Sequence, residues 1–231
     1  MQLAAFCPIC GSTRFEIFNG RSRARCTNCR AVERTRILYA LLNRDGALRK
    51  GIHILHLSPE TGLAWRLKSL AGRYVPADRD VSRFAKVLPE AKRIDLCNFD
   101  AAEFGTFDLI LHSHVLTQLP CNGSSILAKL AGMLTPGGSM YFSVPIRRDS
   151  VTIEDTTFSL RPEDRKARYG SEDNWRMFGE RDVERVLSER LPGKLQIVEL
   201  SDYFGTEEIS QMGLTPAKTR LNSDTIFKYS R

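Results

Sequence analysis

The sequence predicts an α/β protein in which a doubly wound, seven-stranded, Rossmann-like sheet follows a small cysteine-rich module. Beyond Gly51, short apolar segments typical of strands alternate with amphipathic segments typical of helices. Such alternation builds a mostly parallel sheet with helices on both faces. Before Gly51, two Cys-x-x-Cys pairs lie close together in a stretch rich in arginine. We therefore expect two domains, residues 1–46 and residues 47–231.

The elements of the larger domain follow one another at regular intervals. We expect strands at residues 52–57, 73–77, 91–96, 107–112, 139–144, 195–200 and 224–229, and helices at residues 61–70, 124–134 and 181–190. In doubly wound sheets, ligands bind beyond the carboxyl ends of the strands, near the point where the strand order reverses. The segment 147–179 is long, polar and without clear periodicity, and a segment of this kind is either functional or disordered.

Four cysteines predict a structural zinc site. Cys7 and Cys10 form one Cys-x-x-Cys pair, Cys26 and Cys29 form the other, and fifteen residues separate the pairs. Two intervening residues let a tight turn direct both sulfurs to one metal ion, and two such turns complete a tetrahedral set of thiolates. Four protein ligands leave no open position, so we expect a structural zinc.

The segment between the two pairs fits a β-hairpin. Residues 14–18 and 21–25 have the composition of strands, and Asn19-Gly20 between them is typical of a type I′ turn. An amphipathic helix is predicted at residues 32–42, ended by Gly46. These features together make a zinc ribbon and a linking helix.

The two remaining cysteines, Cys97 and Cys121, lie in the α/β part. We expect both to be small buried side chains, since free cysteine behaves as a small hydrophobe. For the four ribbon cysteines, disulfides are the competing use, and a cytoplasmic chain argues against them. The start of the chain lacks the basic region of a signal peptide, and no apolar run approaches the roughly 20 residues that span a bilayer. We therefore expect a cytoplasmic protein without a membrane partner.

The net charge of +7 is concentrated at one end of the chain. Residues 1–50 hold ten basic and three acidic groups, and the rest of the chain is balanced at 24 of each. A basic patch of this kind indicates a face that binds phosphate or nucleic acid. A solvated arginine-rich surface explains the same composition, and both interpretations remain open.

Two blocks carry a resemblance to a known family. The first is Phe107-Asp-Leu-Ile-Leu-His-Ser-His-Val-Leu, and the second is Met133-Leu-Thr-Pro-Gly-Gly-Ser-Met-Tyr-Phe. In this order and spacing they resemble the fourth and fifth strands of class I S-adenosylmethionine (SAM)-dependent methyltransferases, over about residues 50–230. Glu33-Arg-Thr-Arg and His56-Leu-Ser-Pro-Glu are similar to motifs of a subgroup that carries an N-terminal zinc ribbon.

The resemblance implies a SAM site at the strand ends. Asp78, or Asp80 if the register differs, would accept hydrogen bonds from the ribose hydroxyls, while Asp95 and Leu96 would contact adenine. The family's acidic residue and three glycines after the first strand align with His56, Ser58, Glu60 and Gly62, so only the last glycine is kept. Ser58 and Gly62 would lie along the methionine part of SAM.

Three residues after the fourth strand fall beside the expected position of the methyl group. Ser113 is a candidate cofactor contact. His114, and less so His112, is a candidate proton acceptor, because histidine titrates near neutral pH. The family often has an acidic residue and a histidine where this chain has Thr117 and Gln118. The subgroup's Asp-His-x-Arg element appears here as Asp173-Asn-Trp-Arg.

We therefore expect a SAM-dependent methyltransferase with a small-molecule or sugar acceptor held under residues 147–179. One alternative is a zinc-ribbon RNA methyltransferase, favoured by the arginine-rich start of the chain. A second alternative is a binding module that kept the fold and lost catalysis, favoured by the missing glycines, Thr117, Gln118 and Asn174. The expected ligands are SAM and structural zinc.

Overall fold

The computed structural model describes residues 5–155, 159–214 and 221–231. Its strands are, in chain order, β1 (Phe15–Phe18), β2 (Arg21–Cys26), β3 (His53–Leu57), β4 (Arg73–Asp78), β5 (Lys92–Arg93), β6 (Phe107–Ser113), β7 (Leu134–Ser143), β8 (Ile146–Arg147), β9 (Ile153–Glu154), β10 (Arg176–Gly179), β11 (Leu195–Val198) and β12 (Ile226–Ser230). Its helices are α1 (Glu33–Arg44), α2 (Thr61–Lys68), α3 (Gly123–Gly132), α4 (Pro162–Tyr169), α5 (Val183–Ser188) and α6 (Thr206–Gln211).

The predicted hairpin is confirmed. Strands β1 and β2 pair antiparallel, with Phe18 opposite Arg21. Asn19 and Gly20 both have positive φ, 49° and 74°, as the central residues of a type I′ turn require. Gly46 ends α1 as predicted, since the helix stops at Arg44, Asp45 is its C-cap, and Gly46 follows with a φ of 68°.

Seven strands form one mixed sheet, as predicted. Their order is β11-β12-β7-β6-β3-β4-β5. Neighbouring strands from β7 to β5 pair parallel, and β12 runs antiparallel to both of its neighbours. The chain passes outward from β3 to β5 and then returns to β6 on the other side of β3. The strand order therefore reverses between β3 and β6, where a ligand crevice is expected.

The ribbon packs on one face of this sheet and shares its core. Side chains from the hairpin module (Cys7, Ile9), from α1 (Leu38, Leu42), from α2 (Leu63, Leu67) and from the sheet (Ile54, Leu109) belong to one buried cluster. Helices α3 and α5 cover the opposite face. The division into residues 1–46 and 47–231 stays a prediction, and the described part of the first segment shares a buried cluster with the sheet.

Arg36 fixes the ribbon to α1. Its side chain is fully buried, and its two terminal nitrogens donate to carbonyl oxygens of the hairpin and of the C-terminal region (those of Arg23, Ala24, Ala31 and Gly213, at 3.0–3.2 Å). Its guanidinium also lies over the Phe15 ring, 4.9 Å from the centroid. A buried charge requires this number of acceptors, so the second arginine of the Glu-Arg-x-Arg motif is structural.

The segment 147–179 carries structure that the sequence does not predict. Strands β8, β9 and β10 form a three-stranded sheet in which β10 is central, and α4 lies between β9 and β10 in the chain. The described part of this segment sits over the carboxyl ends of the main strands. Among the described helices, none has the length and apolar character needed to cross a membrane.

Candidate functional site

A cleft of about 1040 Å³ opens at the carboxyl ends of β3, β4 and β5. Ser58 follows β3, Asp78 ends β4, and Asp95 and Leu96 follow β5, and all four line the cleft. The opposite wall contains Val115, Gln118, Leu119 and Pro120 after β6, together with Arg165, Asp173 and Trp175 of the 147–179 segment. The location matches the crevice expected from the strand order.

Asp78 is well placed to accept hydrogen bonds from a ligand. Its carboxylate is nearly buried, and Oδ1 accepts the backbone N–H of Asp80 at 2.8 Å. Oδ2 lies 3.7 Å from the guanidinium of Arg83, which is exposed. Asp80 instead accepts from the backbone and hydroxyl of Ser82 and caps a short 3₁₀ helix. Both aspartates line the cleft, and Asp78 is the one that ends a strand and is nearly buried.

Asp95 and Leu96 form the far end of the cleft. Asp95 caps a turn, because its Oδ1 accepts the backbone N–H of Cys97 at 3.1 Å and its Oδ2 accepts the side-chain amide of Asn98 at 3.2 Å. Leu96 is buried against the apolar core. The predicted strand 91–96 is shorter than expected, since only Lys92–Arg93 pair with β4. The residues after this short strand turn along the cleft instead of extending the sheet.

Ser58 lies at the centre of the cleft in a left-handed backbone conformation with a φ of 49°. Its backbone N–H donates to the carbonyl of Ala77 at 2.8 Å, which ties the turn after β3 to the end of β4. Non-glycine residues with positive φ are uncommon and concentrate at functional sites. His114, after β6, has a φ of 57°, so two adjacent strand ends share this feature.

One wall of the cleft contains a stacked pair from the 147–179 segment. The guanidinium of Arg165 lies 4.3 Å from the centroid of the Trp175 ring, and its nitrogens also donate to the carbonyls of Leu160 and Glu172. Arg165 was not predicted as a residue of the cleft. The neighbouring Asn174 and Arg176 are buried and bond to backbone carbonyls, so both hold the segment in place.

His56 and Glu60, two predicted cofactor residues, lie outside the cleft in a buried polar chain. The Tyr74 hydroxyl is 2.9 Å from His56 Nδ1, and His56 Nε2 is 3.1 Å from Glu60 Oε2. Burial raises the pKa of Tyr74, so its hydroxyl stays protonated and donates to Nδ1. His56 Nε2 then carries the proton and donates to Glu60. Burial opposes ionisation of Glu60, but the interactions with His56, the charge of Arg34 and a hydrogen bond from Ser113 together outweigh it and lower the Glu60 pKa.

Gly62, the one glycine kept from the family's loop, also lies outside the cleft. It faces the ribbon, and a Cβ at this position would lie 2.2 Å from the backbone oxygen of Cys29. No side chain can fit there, because real Cβ atoms do not approach that closely. Gly62 therefore permits the second cysteine turn to seat on the first turn of α2.

Ser113 ends β6 and His114 follows it, and neither residue is among those that line the cleft. His114 Nε2 lies 3.1 Å from the carbonyl oxygen of Ser223. Because a carbonyl only accepts, Nε2 carries the proton and Nδ1 keeps its lone pair. Burial lowers the pKa of His114, and the charge of Arg34 lowers it further. His114 is therefore a neutral imidazole with one free basic nitrogen at neutral pH.

His112 belongs to β6, and its ring is buried in the core instead of lining the cleft. It is 1% exposed and stacks on Phe142, with the ring centroids 4.8 Å apart. Both ring nitrogens are buried without a partner among the described residues. Burial lowers its pKa from 6.5 to about 3. The ring cannot reach a substrate, so we assign it no part in proton transfer.

The four ribbon cysteines converge on one point. Their sulfurs all lie within 4.8 Å of one another, and the Cys7–Cys29 and Cys10–Cys26 sulfur pairs are each 3.6 Å apart. Four sulfurs about 2.3 Å from a central zinc ion would be about 3.8 Å apart. The cluster therefore has the size and donor set of a tetrahedral zinc site with no open position.

The expectation for Cys97 and Cys121 is wrong, because the structure joins them in a disulfide with a Cα–Cα distance of 5.7 Å. Cys97 directly follows Leu96, and Cys121 directly follows Pro120. The bond therefore connects the loops that form two walls of the cleft. Sequence spacing gave no signal for it, since 24 positions separate the two residues.

Many arginines of the ribbon region form ion pairs with acidic side chains of the same chain. Arg25 and Arg30 pair with Glu16, Arg21 pairs with Glu33, Arg44 with Glu208 and Arg49 with Asp108. The last two carboxylates come from the larger domain. The positive charge counted over residues 1–50 is therefore partly neutralised by side chains from elsewhere in the folded chain.

Comparisons with solved structures identify the fold. The N-methyltransferase NodS from Bradyrhizobium japonicum WM9, in complex with S-adenosyl-L-homocysteine (SAH), is 15% identical, with a TM-score of 0.50 over 86% of this chain and 88% of its own. A SAM-dependent methyltransferase from Mesorhizobium loti is 14% identical, with a TM-score of 0.52 over 80% and 93%.

The CurJ carbon methyltransferase is 13% identical, with a TM-score of 0.52 over 84% of this chain and 52% of its own. No protein-family model and no curated protein matches the chain. The chain thus has the fold of SAM-dependent methyltransferases. Its neighbours include an N-methyltransferase and a carbon methyltransferase, so the fold leaves the acceptor atom open.

Proposed function

We propose that this protein is a SAM-dependent methyltransferase that acts on a small molecule or sugar, with a structural zinc in its ribbon. The observation that supports it best is the order of residues along the cleft. Asp95 and Leu96 follow β5, Asp78 ends β4 and Ser58 follows β3. Adjacent strands therefore offer, in that order, a polar and an apolar contact for adenine, a carboxylate for the ribose and a small residue for the methionine part of SAM.

The chemistry needed beyond binding is modest. SAM supplies an activated methyl group when bound, so the protein has to align the acceptor and accept a proton. Nδ1 of His114 is the candidate acceptor of that proton, because Nε2 is held by the Ser223 carbonyl. A lowered pKa keeps this imidazole neutral at pH 7. Gln118, Arg165 and Trp175 line the part of the cleft available to other groups.

Calorimetric titration with SAM and SAH tests the cofactor site. We expect saturable binding of both to the zinc-loaded protein, and transfer of a labelled methyl group to a fraction of small metabolites. Binding without transfer to any acceptor would favour the second candidate, a binding module. One observation favours that module, namely that Gly62 serves ribbon packing, which leaves the loop after β3 without a glycine for the cofactor.

RNA as the acceptor has less support. The argument for RNA was the positive charge of the first 50 residues. Six of the nine arginines there bond to carboxylates or carbonyl oxygens of described residues. They are Arg21, Arg25, Arg30, Arg36, Arg44 and Arg49. Binding through free arginines would weaken steeply with salt. Retention of RNA at about 50 mM salt that is lost when Arg14 and Arg23, two exposed arginines outside that set, are changed to Gln would restore this alternative.

A further inference from the structure

The disulfide between Cys97 and Cys121 ties together two loops of the cleft. Cys97 directly follows Leu96, and Cys121 directly follows Pro120. Leu96 and Pro120 line opposite sides of the cleft. Both cysteines are only partly buried against the apolar core, so part of each side chain is open to solvent. The bond is therefore an accessible covalent link between two walls of one ligand site.

On one side, the bond holds the loop that carries Asp95. The backbone N–H of Cys97 donates to Asp95 Oδ1 at 3.1 Å, and the side-chain amide of Asn98 donates to Oδ2 at 3.2 Å. This loop has little regular structure, because β5 is two residues long and only a short 3₁₀ helix, Ala101–Glu103, lies between β5 and β6. The position of the Asp95 carboxylate therefore depends on where Cys97 is held.

On the other side, the bond reaches the 147–179 segment through Arg176. The Nη2 atom of Arg176 donates to the carbonyl oxygen of Cys121 at 2.6 Å. The preceding residue, Trp175, lines the cleft. One continuous set of bonds thus connects Asp95 on one wall with Trp175 on the other, and the disulfide is the covalent part of that connection.

The other described cysteines are free and form the cluster of the ribbon. Such a cluster binds zinc only while its cysteines stay reduced, because the metal ligand is the thiolate. A disulfide in the same chain therefore works among thiols that exchange with it. Cys121 directly precedes Asn122, the N-cap of α3, and a helix N-terminus favours a thiolate. Cys121 is therefore the better leaving group of the disulfide.

We propose that the Cys97–Cys121 bond is a redox switch that sets the affinity of the cleft for its ligand; this inference rests on the proposed function, which supplies the ligand. One thiolate of a dithiol reductant attacks Cys97 Sγ, forms a mixed disulfide and releases the Cys121 thiolate. The second thiol attacks the reductant's own sulfur in the mixed disulfide and frees Cys97, so the reductant leaves as a disulfide. The protein gains two electrons and two protons. Reduction releases the Asp95 loop from the opposite wall and lowers the affinity, and oxidation by a disulfide restores it.

Calorimetric titration of SAH into two redox states of the zinc-loaded full chain tests the switch. One sample is oxidised with glutathione disulfide, and the other is reduced with a non-chelating phosphine. Thiol alkylation and mass spectrometry count the free cysteines in each sample, and elemental analysis verifies that zinc is retained. The control is Cys97→Ser/Cys121→Ser, because this variant lacks the bond and keeps the four cysteines of the ribbon.

We expect the oxidised wild type to bind SAH about 5- to 50-fold more tightly than the reduced wild type, a usual strength of coupling between two sites. The double variant should match the reduced wild type and should not respond to the phosphine. Because such coupling is reciprocal, SAH should make the bond harder to reduce by the same factor. Equilibration with mixtures of reduced and oxidised glutathione, with and without SAH, measures that factor.

Equal affinities of the oxidised and reduced wild type would overturn the switch and leave the proposed function standing. A phosphine effect of the same size in the double variant would also overturn it, because the effect would then arise at the ribbon cysteines. Wild type that binds SAH in neither state contradicts the proposed function, and hydrogen exchange then tests the link between the walls by itself. Backbone amides of residues 94–99 and 115–121 should exchange faster after reduction, and unchanged exchange would overturn the inference.

Discussion

The backbone oxygen of Cys29 occupies the space in which a side chain on Gly62 would begin, 2.2 Å from the ideal Cβ position. This contact joins the second cysteine turn of the ribbon to the first turn of α2. Helix α2 directly follows the loop of Ser58, which lines the cleft. The ribbon therefore buttresses the loop on which cofactor binding is proposed to depend.

Replacing Gly62 with Ala should push the ribbon away from α2. We expect a loss of about 1–3 kcal/mol in the free energy of unfolding, typical of overpacking at a site that cannot relax. Gly132→Ala is the matched control, because Gly132 is also helical and no atom lies within 4 Å of its Cβ position. Denaturant unfolding of both variants measures the difference. Equal stability of the two would show that the ribbon is free to shift.

Zinc should be present at about one ion per chain and should be required for the ribbon to fold, as in other small metal-bound modules. Cys26→Ser removes one of the four converging sulfurs and should abolish stoichiometric zinc. Cys97→Ser changes a cysteine outside this cluster and should not. Elemental analysis of untagged protein measures the zinc content. Fewer than about 0.2 zinc ions per wild-type chain after zinc-supplemented growth would contradict the prediction.

The disulfide between Cys97 and Cys121 should stabilise the walls of the cleft. Closing a loop between residues 24 positions apart restricts the unfolded chain, which stabilises the fold by up to about 3.5 kcal/mol. A non-chelating reductant should therefore lower the free energy of unfolding of the wild type. The double variant Cys97→Ser/Cys121→Ser should be less stable and insensitive to the reductant. The same reductant effect in both proteins would place the sensitive bond elsewhere.

Most of the sheet was predictable from the sequence because its strands are short apolar-rich segments with turn residues at their ends, whereas β5 is only Lys92–Arg93. The shape of the 147–179 segment was not, since β8 and β9 are two residues long and show no periodicity. Contacts between distant parts of the chain could not be predicted from the sequence either. Gly62 sits in a motif that suggests a cofactor loop, and only the folded chain shows that its neighbour is Cys29.

The positive charge of residues 1–50 also did not predict how basic the folded surface is. The ten basic groups of residues 1–50 suggested a basic face, but their partners Asp108 and Glu208 lie far along the chain. Arg34 and Arg36 belong to one motif and have opposite situations. Arg36 donates to four carbonyls, and Arg34 donates to no described residue. A sequence pattern cannot separate these two, since the difference arises from packing against other elements.

His112 should make the fold sensitive to acid. Its pKa is lowered from 6.5 to about 3 by burial, so between these pH values the unfolded chain binds a proton that the folded protein does not. Stability therefore falls as the pH drops below 6.5, by about 1.4 kcal/mol per pH unit for a single group. Zinc release at low pH adds a further loss. The comparison with His112→Leu isolates the histidine, and parallel pH profiles of the two proteins would contradict its assignment as a buried neutral ring.

Asp78 discriminates most between the proposed function and a purely structural role for the cleft. If the ribose lies at the end of β4, Asp78→Ala removes its charged acceptor and should weaken SAH binding by about 1.5–3 kcal/mol, roughly 10- to 150-fold. Asp78→Asn should cost less, because an amide oxygen still accepts. Asp80→Ala is the control, since Asp80 caps the neighbouring turn through Ser82. Titration of SAH into all four proteins gives the affinities, and thermal melts report any damage to the fold. A lower melting temperature with unchanged affinity in both Asp78 variants would mean that the carboxylate only holds the Asp80 backbone at 2.8 Å. A loss confined to Asp80→Ala would instead shift the ribose contact by two residues.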